Sequence, residues 1–205
     1  TGYYNFLHMD FFRPTILLVS KDDKSTLITP LLDVLLIEND CPVENIVTWN
    51  DGIGKEWRED LPKFLKKNKN IAYEKYKINA TVNNYLLDLL KGVSIENITP
   101  IINNIRMIKT EEELKIARHA GEVGLAMMEA GKKALGNNVP EYEVALATSQ
   151  AGTRKAAEIL NNHYNNKNMS PNIHFLQVMA SGHDLPKTHH RASTKLLKKG
   201  DPVFL

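Results

Sequence analysis

Ile105-Arg106-Met107-Ile108-Lys109-Thr110-Glu111-Glu112-Glu113 is the stretch at which this chain changes character. Before it, short apolar runs alternate with helix-like segments; after it, a single, much longer helical pattern begins. Thr110 and Glu113 have the spacing of a capping box, in which hydroxyl and carboxylate satisfy the backbone N–H groups that a first helical turn leaves unpaired. Leu114, Ala117, Gly121, Leu125 and Met128 then recur every three or four residues, which places them on one face. That stripe is rich in small residues, so the helix is expected to pack tightly across a sheet. Gly136 reads as its terminator, and Pro140 as the first-turn proline of a second helix over residues 140–160.

Toward the amino terminus, residues 15–19 and 26–28 flank the turn-rich Lys21-Asp22-Asp23-Lys24 and predict a hairpin. Residues 31–38 follow Pro30 and read as a helix with proline in its first turn. Strands are expected at 46–49 and 71–73, and helices at 56–66 and 81–91. Such alternation predicts an α/β sheet domain. The boundary falls near residues 103–107, giving one domain over 1–104 and a second over 105–205. In the second, strands at 175–179 and 202–205 enclose a polar segment, residues 180–191.

Composition limits the function. The 205 residues are 42% hydrophobic, enough for a sizeable core. Lys and Arg total 26 against 24 Asp and Glu, and a net charge of +2 gives no basic field for a nucleic-acid partner. Cys41 stands alone, which excludes an internal disulfide and a multi-cysteine metal site and makes cytoplasm the default location. No apolar run approaches the ~20 residues that span a bilayer, so no membrane partner is expected. No signal-peptide pattern opens the sequence, although it begins without methionine. Asn-x-Ser/Thr triplets at Asn79, Asn97 and Asn168 read as chance in an Asn-rich chain.

Chemistry concentrates in the segment Ala180-Ser181-Gly182-His183-Asp184-Leu185-Pro186-Lys187-Thr188-His189-His190-Arg191. A loop at the end of a strand presents side chains to a ligand from a rigid base, and histidine is the side chain suited to proton transfer near neutral pH. The bland alternative is a run of solvated loop histidines. Other signals are poorer. Asp51-Gly52-Ile53-Gly54-Lys55 lacks the spacing of a phosphate-binding loop and reads as a surface turn. His163 and His174 read as ordinary polar positions, Cys41 has no visible partner base, and the charge run at 63–69 reads as a wet helix face.

Five pieces in order resemble the creatinase, prolidase and aminopeptidase P family. Residues 105–113 resemble its R-x-I-K-[ST]-x-x-E segment, and Val139-Pro140-Glu141-Tyr142-Glu143-Val144-Ala145 resembles its second-helix opening. Val178-Met179-Ala180-Ser181-Gly182 is similar to its strand ending in a small-Gly turn. Thr188-His189-His190 is similar to its histidine loop, and Gly200-Asp201-Pro202-Val203-Phe204-Leu205 to the GD-x-V strand beyond, with Gly200 eleven residues after His189. Thr1-Gly2-Tyr3, residues 13–19 and residues 71–74 resemble strands of its first domain more loosely.

The resemblance implies a ribonuclease-H-like α/β amino-terminal domain of creatinase type, followed by the first half of an α+β pita-bread domain, in a chain cut at both ends. It implies a Xaa-Pro dipeptidase or aminopeptidase, dimeric with its own copies and acting on a small peptide or small-molecule substrate. His189 matches the histidine that meets the substrate; His190, Arg191 and His183 are candidate substrate-binding neighbours. The family's metal ligands, two Asp, one His and two Glu, lie beyond the GD-x-V strand. No metal is therefore assigned to any residue here, two divalent ions (Mn, Co or Zn) are expected in the complete peptidase, and this chain alone is expected to be inactive. Two alternatives remain: a metal-independent creatinase-like amidinohydrolase or carbon-sulfur lyase, suggested by residues 139–148, and a non-catalytic peptide- or protein-binding module.

Overall fold

Lys21-Asp22-Asp23-Lys24 turns the chain back on itself, with Asp23 at φ 59°, a left-handed conformation that aspartate tolerates. β1 (Ile16–Val19) thereby pairs antiparallel with β2 (Ser25–Pro30), Ile16 opposite Ile28 and Val19 opposite Ser25. β3 (Asn45–Trp49) adds to the other side of β2 in parallel, giving the order β1-β2-β3. A parallel neighbour requires a crossover, which carries a 3-10 turn (Leu31–Asp33) and α1 (Val34–Ile37). The helix expected over 31–38 is thus divided, and Pro30 does not open it. Pro30 is extended, at φ −55° and ψ 140°, and ends β2 opposite Trp49. The computed structural model describes residues 14–37, 41–50, 56–66, 69–164, 169–172 and 178–205. The turn read at 51–55, Asn168, His174 and most of the strand read at 175–179 lie outside them.

The chain divides into two compact units, residues 1–108 and 109–205, and the helix that ends the first crosses the boundary read at 104/105. In the first unit, α2 (Trp57–Leu65), β4 (Asn70–Tyr73), α3 (Ala80–Leu89), β5 (Ser94–Asn97) and α4 (Thr99–Met107) follow the three-stranded sheet. β4 and β5 pair in parallel as a separate two-stranded sheet. The core gathers Ile28, Trp49, Trp57, Leu61, Leu65, Val82 and Leu90, and Trp57 meets Tyr85 edge-on at 5.0 Å. Pro62 inside α2 has no N–H to give the Arg58 carbonyl four residues back; the Tyr85 hydroxyl donates to that carbonyl instead, at 2.7 Å. Asn79 caps α3 by accepting from the Val82 N–H at 2.9 Å, and Asn97 accepts from the Thr99 N–H at 3.1 Å, so both asparagines serve local structure.

The second unit opens with the capping box in place: Glu113 N–H donates to Thr110 Oγ1 at 3.2 Å, and Thr110 N–H to Glu113 Oε2 at 2.9 Å. α5 (Glu111–Ala134) and α6 (Glu141–His163) form an antiparallel hairpin, since Gly131 faces Thr148 while His119 faces His163. The close approach comes at Gly131, where a Cβ would lie 2.7 Å from Thr148 Cγ2 and overlap Leu205. It does not come along the expected stripe: nothing lies within 4 Å of a Cβ built on Gly121, and Leu125 is 62% exposed. Periodicity marks an apolar face without saying what meets it, and α5 turns a different strip to α6. β6 (Ala180–Ser181) and β7 (Val203–Phe204) pair antiparallel, Ala180 opposite Phe204. Val144, Met179 and Leu197 form the core beside them. Among the described residues no helix is long and apolar enough to cross a membrane.

Leu61 is fully buried while Leu17 is half exposed. Leu61→Ala is expected to cost about 2–5 kcal/mol of unfolding free energy in urea titrations followed by circular dichroism, against under about 1 kcal/mol for Leu17→Ala. Equal costs would remove α2 from the core.

Candidate active-site loop

β6 ends at Ser181, and Gly182 turns the chain with φ 55°; a Cβ there would lie 2.9 Å from Asp201 Oδ2, so glycine answers both conformation and space. A 3-10 turn (Gly182–Asp184) follows, and Lys187 N–H donates to Asp184 O at 2.9 Å and His190 N–H to Lys187 O at 3.0 Å. The chain then returns beside its own beginning: Met179 N–H donates to His190 O at 3.1 Å, and Val178 bridges Arg191. His189, in the turn that the His190 N–H closes onto the Lys187 carbonyl, is exposed, as are Arg191 and His183, whereas His190 is turned inward.

The inward ring finds a defined partner. His190 Nδ1 lies 2.7 Å from Met179 O, and since a carbonyl only accepts, Nδ1 donates and carries a proton. Its Nε2 lies 3.9 Å from Oδ2 of Asp184, a nearly buried carboxylate. Lys187 Nζ donates to Asp184 Oδ1 at 2.5 Å and Lys195 Nζ to Oδ2 at 2.8 Å, with His183 Nε2 3.4 Å from Oδ1. Hydrogen bonds from the two ammonium groups hold this carboxyl well below the usual carboxylate range. Lys195 Nζ also donates to Ser181 O at 2.5 Å, tying the turn to the segment beyond it.

Beneath the loop sits Glu141, fully buried at the start of α6. Ser181 Oγ donates to its Oε1 at 2.6 Å; Ser193 Oγ and Ser193 N–H donate to its Oε2 at 2.6 and 3.1 Å. Burial pushes the Glu141 carboxyl up, but these hydrogen bonds, with a smaller contribution from His190, outweigh it and leave the group below its ordinary value. The first N–H groups of α6 are taken up by the same segment, Glu141 N–H by Lys195 O and Tyr142 N–H by Ser193 O, each at 3.0 Å.

The structure thus brings His183, Asp184 and His190 together and leaves the His189 and Arg191 side chains outside that cluster. Sequence reasoning missed the supporting set, Glu141, Asp184, Ser193 and Lys195. Glu141 and Asp184 stood inside motifs that were quoted for other residues; Ser193 and Lys195 carried no signal. A cavity of about 450 Å³ lies elsewhere, lined by Met128, Glu129, Lys132, Leu135 and residues 203–205, and does not include His189. Among the described residues no group of three or more His, Cys, Asp or Glu is placed to hold a metal ion. They do not fit a two-metal centre.

The family model of the creatinase/prolidase N-terminal domain matches residues 1–108, more than half of the chain. The chain belongs to the creatinase/prolidase family. Solved structures agree with this placement at the level of fold. Prolidase from Pyrococcus furiosus superposes with a TM-score of 0.74 at 22% identity, over 92% of this chain and 52% of that one. Xaa-Pro dipeptidase from Bacillus anthracis gives 0.72 at 20% identity, over 93% and 49%. An Escherichia coli aminopeptidase P variant gives 0.69 at 14% identity, over 92% and 45%. This member of the creatinase/prolidase family therefore spans about half the length of the solved structures it matches, and its mixed α/β fold is theirs over that span.

Two outcomes follow from the buried carboxylates of this family member. Glu141→Ala strands the donors of Ser181 and Ser193 and is expected to cost roughly 2–4 kcal/mol in denaturant unfolding. Both carboxyls sit below their ordinary values of 4.5 for Glu141 and 3.8 for Asp184, so the stability they add is present above those values and is lost as acid protonates them. Acid titration of the unfolding free energy is expected to fall below about pH 4.5, with a shallower fall in Asp184→Asn. A wild-type curve flat to pH 3 would contradict the network.

Proposed function

We propose that this chain is a fragment of a Xaa-Pro dipeptidase- or aminopeptidase-like hydrolase, in which His189 meets the substrate. One observation carries the reading: a closed loop, pinned by Asp184, His190 and Lys195, turns His189 outward and leaves its imidazole unpartnered among the described residues. Thr188-His189-His190 resembles the family's histidine loop at that position. An imidazole held there by a rigid frame can donate a hydrogen bond to the oxygen that gains charge when an amide is attacked, or return a proton to the leaving nitrogen. Arg191, also exposed and two residues on, offers a second donor for the carbonyl or carboxylate of a short peptide. The water-activating metals belong, in this reading, to residues beyond Leu205.

The creatinase-like segment 139–148 does not favour the amidinohydrolase reading within this chain. Its Glu141, Val144 and Thr148 are buried and build the start of α6. For the complete protein we assign small Xaa-Pro peptides as substrates, manganese or a similar divalent ion as the metal, a homodimeric assembly and a cytoplasmic setting.

The 205-residue chain with added Mn²⁺ is expected to show no Xaa-Pro cleavage. The complete polypeptide is expected to cleave Xaa-Pro dipeptides, with His189→Ala lowering kcat by about 10²–10⁴-fold. Turnover by the 205-residue chain would overturn the placement of the metal half; an unchanged kcat in His189→Ala would overturn the role of the imidazole.

A further inference from the structure

The far end of the α5–α6 hairpin holds a cluster that the proposed hydrolase does not use. His119, on the third turn of α5, and His163, the last residue of α6, face each other with ring centres 4.6 Å apart and planes tilted by 32°. Tyr164 stands edge-on to His119 at 5.5 Å, and its hydroxyl lies 2.8 Å from His119 Nδ1. That hydroxyl can accept from Nδ1–H, and in the tautomer so paired the Nε2 lone pair of His119 is free. A metal-ligating histidine is oriented in just this way, by an acceptor on its second nitrogen. The His163 ring is exposed and has no hydrogen-bond partner among the described residues.

From this juxtaposition we propose that His119 and His163 form a two-imidazole site for a borderline divalent ion, Zn²⁺ or Ni²⁺, which staples the open end of the hairpin. With metal–nitrogen bonds of about 2.0–2.1 Å, two imidazoles on one ion at roughly 90–110° have ring centres about 4.5–5.2 Å apart. The observed 4.6 Å lies within that range. Imidazole nitrogen selects Zn²⁺, Ni²⁺ and Cu²⁺, whereas Mg²⁺ and Ca²⁺ demand oxygen. Glu122, one turn beyond His119, is 3.6 Å from Lys155 and supplies no third ligand, so water completes the coordination. The site is separate from the loop bearing His189 and does not depend on the hydrolase reading. Its consequence is structural: α5 and α6 are joined by the short 135–140 connection at one end, and the ion would join them at the other.

The test is calorimetric titration of the 205-residue chain with Zn²⁺, Ni²⁺ and Mg²⁺, repeated on His119→Gln, His163→Gln and a His183→Gln/His189→Gln loop variant. The expected result is one Zn²⁺ or Ni²⁺ site, no Mg²⁺ site, and at least about tenfold weaker binding in each of His119→Gln and His163→Gln. The loop variant should bind as the unsubstituted chain does. His163 is exposed, so His163→Gln is expected to fold, which unchanged circular dichroism checks. Absence of Zn²⁺ and Ni²⁺ binding, or binding retained in His163→Gln and lost in the loop variant, would overturn the proposal.

Discussion

A carboxylate with no exposure to water governs the second unit. Burying the charge of Glu141 is expensive unless both its oxygens are answered, and here Ser181 and Ser193 answer them with two hydroxyls and one backbone N–H. The requirement works in both directions. Glu141 sits in the first turn of α6, so the two serines that satisfy it are fixed relative to that helix although they lie far along the chain. Between them runs the whole loop that presents His189. Its ends are therefore tied to a helix start rather than merely to each other, and Lys195, two residues past Ser193, adds a third tie through Asp184 and the Ser181 carbonyl.

This arrangement separates support from display. His190 and Asp184 face inward, where hydrogen bonds immobilise them; His189 and Arg191 face outward, where a ligand can reach them. A histidine engaged by structure is poorly placed to exchange protons with a substrate, and one without support is poorly oriented. His189 sits in the turn closed by the His190 N–H on the Lys187 carbonyl, and His190 begins the return beside Met179, so consecutive residues take the two roles.

Much of the fold was legible because its determinants are local. The hairpin rests on a four-residue turn, and the capping box on Thr110 and Glu113, three residues apart. β5 and α4 escaped notice for the opposite reason. Ser94-Ile95-Glu96-Asn97 becomes a strand by lying beside Asn70–Tyr73, and Asn103 and Asn104 dilute the helical pattern of residues 99–107. The site divides similarly. The histidine loop showed itself by composition, but which histidine turns inward depends on the pairing of Val178 with Arg191, and the tie to Glu141 spans 40 residues to Ser181 and 52 to Ser193. No window of neighbouring residues contains such information.

The Tyr85 hydroxyl on the Arg58 carbonyl joins two helices of the first unit at a gap in the backbone ladder. A proline in mid-helix leaves a carbonyl that the helix itself can never satisfy, so residues 57–65 on their own hold an open acceptor that water would compete to fill. Closure comes from an aromatic ring on a later helix, which also packs against Trp57 at the start of the same segment. One side chain thus repairs the backbone and covers the indole. The backbone of α2 at Pro62 is thus completed by tertiary structure, with α3 supplying the donor that the proline lacks.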